Sequence, residues 1–315
     1  METQGGFLLL LLVGPMLLML CSYQWNTSQD ERAEIYRLQE PRKRLVKIQC
    51  DGNTEEYAGG KRSVDDMRIN ELDNLVVDDK HGIIYCYVPK VACTHWKIFF
   101  KILNQSDPHL DPNSIRNVHS LRFPLLSDFP RPEIKAKLKH YKKFLFVRDP
   151  FVRLISAFRN KFVNKNQYFY QNYARKMLQK YGNQSNPPET VEQASASGVH
   201  LSFYNFIQYL VDSQTPRPFE PHWRPMNRLC QPCLIQYDFI GHLENLQQEV
   251  GQLMKILMLE DDIKLLPSYP NMTSSDSLWS WFSTVPLEDR RKLYQIYEED
   301  FKLFGYRTPV ELLDG

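Results

Sequence analysis

Hydrophobic and polar positions change period several times along this chain, and the changes mark its elements. From Phe7 to Cys21 no charged residue interrupts a run made mostly of Leu and Met. Residues 24 to about 70 then turn polar and charged, with QEPRKR and AGGKRS among them, and read as a stem with room for some helix. A folded domain begins near Leu72. LVVDDKHGIIYCYV carries two short strand-like runs around an Asp-Asp-Lys-His-Gly turn. A helix over Trp96–Leu103 follows, then a lysine-rich helix over Pro132–His140. KKFLFV, from Lys142 to Val147, is the compact apolar run of a buried strand. Asp149-Pro150 opens the next helix, since Asp caps well and Pro suits the first helical position. FVRLISAFRNKF continues it with apolar residues at helical spacing. The stretch Asn164–Gly198 mixes aromatic and polar residues around NQSNPPET and reads as an insertion or flexible region. LSFYNFIQYLVD is an amphipathic helix, and Tyr237–Leu246 a strand running into a helix. Pro286–Phe304 places Leu293, Ile296, Tyr297 and Phe301 on one helical face. Strands alternating with helices predict an α/β domain with a central, mainly parallel sheet flanked by helices.

Composition changes this picture little, and the N-terminus changes it more. At 315 residues and 43% hydrophobic, the chain can bury one sizeable core. A net charge of +2 argues against a general nucleic-acid binder. The apolar N-terminal run reaches the length of a membrane span, about 17–25 residues, when extended to Gly5 and Trp25. It lacks the basic start and cleavage site of a signal peptide, so a signal-anchor is expected. Asn26, Asn104, Asn183 and Asn271 head glycosylation sequons, which favours a lumenal domain. Cys21 lies at the membrane segment, and Cys50, Cys86, Cys93, Cys230 and Cys233 lie beyond it. That odd count requires an unpaired thiol or an intermolecular bond. Cys230-Gln-Pro-Cys233 has no second pair at metal spacing, so no metal is expected, and a structural disulfide is the default.

Two stretches carry candidate chemistry. YCYVPKVACTHWKIFF, Tyr85–Phe100, runs strand, loop, helix, the geometry of a phosphate loop, yet contains no glycine. In it Lys90 offers charge, Thr94 a hydroxyl and Ala92 close approach. FLFVRDPFVRLISAFRNKF places Arg148 at a strand end, where ligands of parallel sheets bind, and Ser156 in the following helix. A basic run from Arg131 to Lys165, opposed by only Glu133 and Asp149, suits an anionic ligand.

Together these stretches resemble the 5′-phosphosulfate loop and 3′-phosphate site of Golgi carbohydrate sulfotransferases. The group in view holds the chondroitin, dermatan and GalNAc 4-O-sulfotransferases and the natural-killer-epitope glucuronyl 3-O-sulfotransferase. LCQPCLIQYDFIGHLENL and YEEDFKLFGY are similar to that group too, and the likeness covers Leu72–Tyr306 except near 164–198. The resemblance implies a P-loop-kinase-like sulfotransferase fold and 3′-phosphoadenylyl sulfate (PAPS) as donor. It also implies a type II Golgi membrane protein: a tail over 1–6, an anchor over 7–24, a lumenal stem over 25–71 and a catalytic domain over 72–308. It places Pro89, Lys90, Val91, Ala92, Cys93, Thr94 and His95 around the phosphosulfate, with Lys90 on the bridging oxygen. It places the run Arg148, Asp149, Pro150, Phe151, Val152, Arg153, Leu154, Ile155 and Ser156 at the 3′-phosphate, held chiefly by Arg148 and Ser156. Position 95 departs from the Asn expected in relatives. Transfer also needs a base beside the sugar hydroxyl, for which His222 is favoured over His119. Trp223 is expected to stack on a sugar ring, and Arg224 and Arg228 to read acceptor uronates. The acceptor is a glycosaminoglycan or glycoprotein glycan, with GalNAc 4-O-sulfation of chondroitin or dermatan preferred. Glucuronyl 3-O- or N-glycan GalNAc 4-O-sulfation, or an inactive glycan-binding protein of the same fold, are the alternatives.

Overall fold

The structure, a computed structural model, describes residues 4–52, 62–104, 115, 118–260 and 278–314. Within the first helix, the side chains of residues 4–15, 17, 20, 21 and 24–28 lie outside that description. Four strands form one sheet in the order β1 (Leu75–Asp78), β2 (Ile83–Cys86), β3 (Lys142–Val147) and β4 (Phe239–His242). β2, β3 and β4 run parallel, with Tyr85 opposite Phe144 and Phe144 opposite Phe239. β1 is the antiparallel exception, because the four-residue turn after Asp78 leaves no room for a crossover. All four strands are buried along nearly their whole length, as the continuous apolar runs require. Gly241 sits against Phe146, where a Cβ would meet the ring at 2.3 Å.

Aromatic packing fixes the helix that follows β2. Helix α2 (Cys93–Leu103) starts three residues before the sequence-based boundary. Its Trp96 stacks on Phe146 at 5.1 Å, and Phe100 stacks on Tyr85 at 5.8 Å. Helix α3 (Arg131–His140) leads into β3, and α4 (Pro150–Phe158) leaves it. A second core gathers α4, α7 (Phe203–Val211) and α9 (Leu287–Phe304) around Phe151, Phe206, Trp223 and Phe301.

The stretch 164–198, expected to be an insertion or flexible, is instead largely helical. It includes a π-helical turn Tyr170–Ala174, α5 (Arg175–Tyr181) and α6 (Val191–Ala196), packed on a small core of Tyr170, Ala174, Leu178, Val191 and Ala194. Part of the basic run is answered by carboxylates. Lys135 pairs with Asp65 at 2.6 Å, Lys137 with Asp79, and Lys143 with Asp238 at 3.4 Å.

Helix α1 (Gln4–Gly52) is continuous through the segment read as stem. At 49 residues it extends about 73 Å at 1.5 Å per residue. From Glu31 onward it docks on the sheet. Arg42 grips Glu249 with two bonds of 2.8 Å and donates to Ile240 O at 2.7 Å, while Gln39 Oε1 accepts from Ile240 N at 2.9 Å. Polar side chains thus satisfy the open edge of β4. Helix α8 (Met226–Cys230) is followed by Cys233, and the C-x-x-C pair does not close on itself. Cys233 bonds Cys50 of α1, and Cys230 bonds Cys86 of β2, so the short motif staples two distant elements. Cys93 is the free thiol among the described cysteines.

Candidate active site

The carboxyl ends of the three parallel strands converge, and each delivers charge. After β2 the glycine-free loop turns by left-handed backbone at Lys90 (φ 71°) and Ala92 (φ 52°). Each such residue costs about 1–2 kcal/mol relative to a right-handed one, a strain characteristic of functional sites. Two arginines hold the loop in that shape. Arg148 Nη1 donates to Lys90 O at 3.3 Å, and Arg153 Nε to Pro89 O at 3.0 Å. Val91 N–H turns back to Val88 O at 3.2 Å. The N–H groups of Ala92, Cys93 and Thr94 have no partner among the described residues. Helix α2 also begins without a side-chain cap or an acidic residue in its first turn. An anion is the natural partner of such a row of donors.

Lys90 completes that cradle. Burial lowers its ammonium to about 8, against a pull from Cys93 and aided by the charges of Lys161, Arg148 and Arg153. Arg148, nearly buried after β3, lies near Glu244, Tyr306 and Asp149. Glu244, just after β4, accepts from Asp149 N at 3.0 Å and from Tyr306 OH at 3.0 Å. A phosphosulfate fits the open N–H groups and Lys90, and a second phosphate fits Arg148. Ser156 stands further along α4, half-buried, its hydroxyl unbonded among the described residues.

The rest of the run after Arg148 does other work. Asp149 turns its carboxylate onto Phe151 N and Val152 N at 2.9 Å each, capping α4 with its own charge. That leaves this helix start no open donors for a ligand. Burial, with Glu244 nearby, pushes the Asp149 carboxyl up to about 6. Pro150, Phe151, Val152, Leu154 and Ile155 are packed in the core rather than facing a ligand. Arg153 is fully buried, and each of its three nitrogens donates a bond: to Pro89 O, to Arg224 O at 2.7 Å and to Pro221 O at 2.8 Å. It is a brace between two loops, not a phosphate ligand.

Both candidate bases reach the same place. His222 Nδ1 lies 2.8 Å from Glu220 Oε1, and its main-chain N–H donates to Glu220 Oε2 at 2.7 Å. A carboxylate on Nδ1 leaves the Nε2 lone pair as the proton acceptor. His119 Nε2 lies 2.9 Å from Thr94 Oγ1 of the loop. Burial lowers His119, and the charges of Lys97, Lys161, His222 and Lys90 push the same way. Burial lowers His222 as well, partly offset by Glu220, while Lys161 and Arg153 lower it further. Both imidazoles are therefore held in the basic, neutral form. Burial also lowers the His95 imidazole, and the main-chain N–H of His95 donates to Ala92 O at 2.9 Å.

The loop of Trp223 corrects another expectation. Trp223 is fully buried against Phe206, Tyr173 and Phe162, so its ring is not available to a sugar. Arg224 Nε donates to Phe219 O at 2.7 Å and its charge reaches Tyr87, while Arg228 lies 3.9 Å from Glu299. Asn104 and Asn183 are exposed, whereas the Asn26 side chain and Asn271 lie outside the described residues. Sequence reasoning missed Lys161 and Lys97, hidden among surface lysines, and gave Glu220 no role beyond adjacency. Among the described residues no cluster could hold a metal ion.

Residues 73–307 match the model of the Sulfotransferase family. Similar proteins include carbohydrate sulfotransferase 12 of Mus musculus, 44% identical over 92% of this chain and 74% of its own. Carbohydrate sulfotransferase 11 of Rattus norvegicus is 35% identical over 90% and 80%, and carbohydrate sulfotransferase 14 of Danio rerio 32% identical over 91% and 77%. No solved structure matches.

Proposed function

The chain belongs to the sulfotransferase family and is a carbohydrate sulfotransferase, and on that premise we propose that it moves sulfate from PAPS to the 4-hydroxyl of GalNAc in chondroitin or dermatan. The observation that carries the donor reading is the glycine-free loop. Its open N–H groups, Lys90 and Arg148 form an anion grip at the carboxyl ends of the strands. The bound donor supplies an activated S–O bond, whose electron pair leaves with the phosphate as the acceptor oxygen bonds to sulfur.

The chain's residues do the rest by position and charge. Pro89–His95 wrap the phosphosulfate, and Lys90 meets the charge growing on the leaving oxygen. Arg148 and Ser156 hold the 3′-phosphate. His222, oriented by Glu220, takes the proton of the sugar hydroxyl at Nε2, with His119 the alternative base. The acceptor side is cationic, with Lys97 and, facing Glu220, Arg224, which suits a uronate-bearing chain.

A lumenal, membrane-anchored, type II Golgi location is part of the same reading. Two disulfides tie sequence-distant cysteines, as in oxidising compartments. Met16, Leu18 and Met19, within the apolar run, are exposed on α1, and most of the run's other side chains lie outside the described residues. Among the described residues no helix is long and apolar enough to cross a membrane. Transfer from radiolabelled PAPS, run with the full chain on desulfated chondroitin, dermatan and N-glycan acceptors, tests the acceptor. Label at GalNAc O4 of the first two supports the reading, and label only on N-glycans or at glucuronyl O3 refutes it.

A further inference from the structure

The site holds one more cation that neither loop accounts for. Lys161 lies at the centre of a π-helical turn, Arg159–Val163, that continues α4. Asn164 N–H donates to Arg159 O at 3.0 Å, the wide spacing of such a turn. π turns recur at functional sites because the extra residue re-aims a side chain. Here the Lys161 ammonium stands 4.5 Å from the centroid of the Phe169 ring. The His222 imidazole packs edge-on against the same ring at 5.4 Å. Lys161 is half-buried and makes no hydrogen bond or ion pair among the described residues. Its charge nevertheless reaches Lys90, His119 and His222. Burial lowers its own ammonium, while Glu220 and Cys93 favour the charged form. A partly desolvated cation with no ion-pair partner among the described residues, packed on the ring that His222 also contacts, suits a visiting anion.

We propose that Lys161 is a catalytic residue that holds the peripheral oxygens of the sulfuryl group as it passes from donor to acceptor. The proposal rests on the sulfuryl-transfer reading above. Lys90 covers the leaving oxygen, Lys161 the peripheral oxygens, and the imidazole receives the acceptor's proton. No further reagent is needed. Lys161 would then stabilise the transition state more than either bound substrate.

Full-length Lys161→Met and Lys161→Arg test this, with thermal stability checked first to confirm folding. Lys161→Met is expected to lower kcat about 10²–10³-fold, the usual loss on removing one charge-stabilising group. Acceptor KM and the thermal shift with adenosine 3′,5′-bisphosphate should stay near wild type, and Lys161→Arg should recover part of the rate. A ligand-free NMR titration gives a second readout. His119 faces Lys97, Lys161, His222 and Lys90, and His222 faces Glu220, Lys161 and Arg153. Removing Lys161 should move both imidazoles to higher pH. Unchanged kcat, a loss confined to acceptor KM, or unmoved histidines overturns the proposal. Full activity in Lys90→Ala would instead sink the sulfuryl-transfer reading, and this proposal with it.

Discussion

Arg153→Met is the perturbation whose cost the structure lets one work out most fully. The buried guanidinium donates to Pro89 O, Pro221 O and Arg224 O at 3.0, 2.8 and 2.7 Å. Hydrogen bonds from a charged group contribute about 1.5–3 kcal/mol each. Their loss would cost roughly 5–9 kcal/mol gross, but removing a buried charge returns several kcal/mol of desolvation. A net destabilisation of about 2–4 kcal/mol follows, on the order of 10 °C in Tm for a domain of this size. Asp300 adds a pH signature. It is fully buried and accepts from Met226 N and Asn227 N at 2.6 and 2.8 Å. Burial raises its carboxyl to about 6, against the opposing charge of Arg153. A folded-state value above the unfolded one makes ionised Asp300 a cost that appears as pH rises toward and past that value. Without Arg153 the carboxyl rises further and the cost grows. The deficit of Arg153→Met should therefore be larger at pH 8 than at pH 5.5. Because the brace joins the Pro89 loop to the Pro221–Arg224 loop, adenosine 3′,5′-bisphosphate binding and kcat should fall together. Chemical denaturation at the two pH values, with ligand thermal shift, checks this. Wild-type stability with wild-type binding would refute the brace.

Other expectations follow from the same geometry. The kcat/KM profile should be bell-shaped, with an acid limb below the ordinary imidazole value near 6.5, because burial lowers both histidines. Its alkaline limb should fall near 8 as Lys90 loses its proton, and for kcat that limb should move up, because bound anions favour the ammonium; a flat profile from pH 5 to 10 would contradict this. Glu220→Gln should lower kcat about 10–100-fold and move the acid limb down, since Glu220 raises His222; an unmoved limb would favour His119 as base. Arg42→Ala leaves the buried Glu249 without its bidentate partner, at a cost of about 3 kcal/mol. It should open α1 to proteolysis near Glu31–Cys50, and unchanged protease resistance would argue against docking.

Much of the sheet was legible because its signals are local. Lys142–Val147 is apolar throughout, and Asp149-Pro150 carries its own cap, so β3 and the start of α4 sit where the pattern put them. The Glu31–Gly52 part of α1 was read as stem because its docking uses Gln39, Arg42 and few buried apolar residues, such as Ile35 and Val46. Hydrophobic periodicity does not register polar edge-capping of that kind. The stretch 164–198 hid its helices because π-helical turns on either side of Phe169 break the 3.6-residue period. Within the candidate site, Lys90, Arg148 and the histidines carried chemical signals, whereas Lys161 looked like its solvated neighbours. Trp223 misled for the opposite reason: its polar neighbours in sequence are not its neighbours in space.

Calorimetric titration of the full chain with adenosine 3′,5′-bisphosphate tests the central claim most directly, because it reads the anion grip without requiring the acceptor. Wild type should bind. Lys90→Ala and Arg148→Ala should each weaken binding by about tenfold or more, the scale of one charged hydrogen bond, and adenosine 5′-phosphate should bind less well than the bisphosphate. Absence of binding in folded wild type, or undiminished binding in Arg148→Ala, would contradict the account.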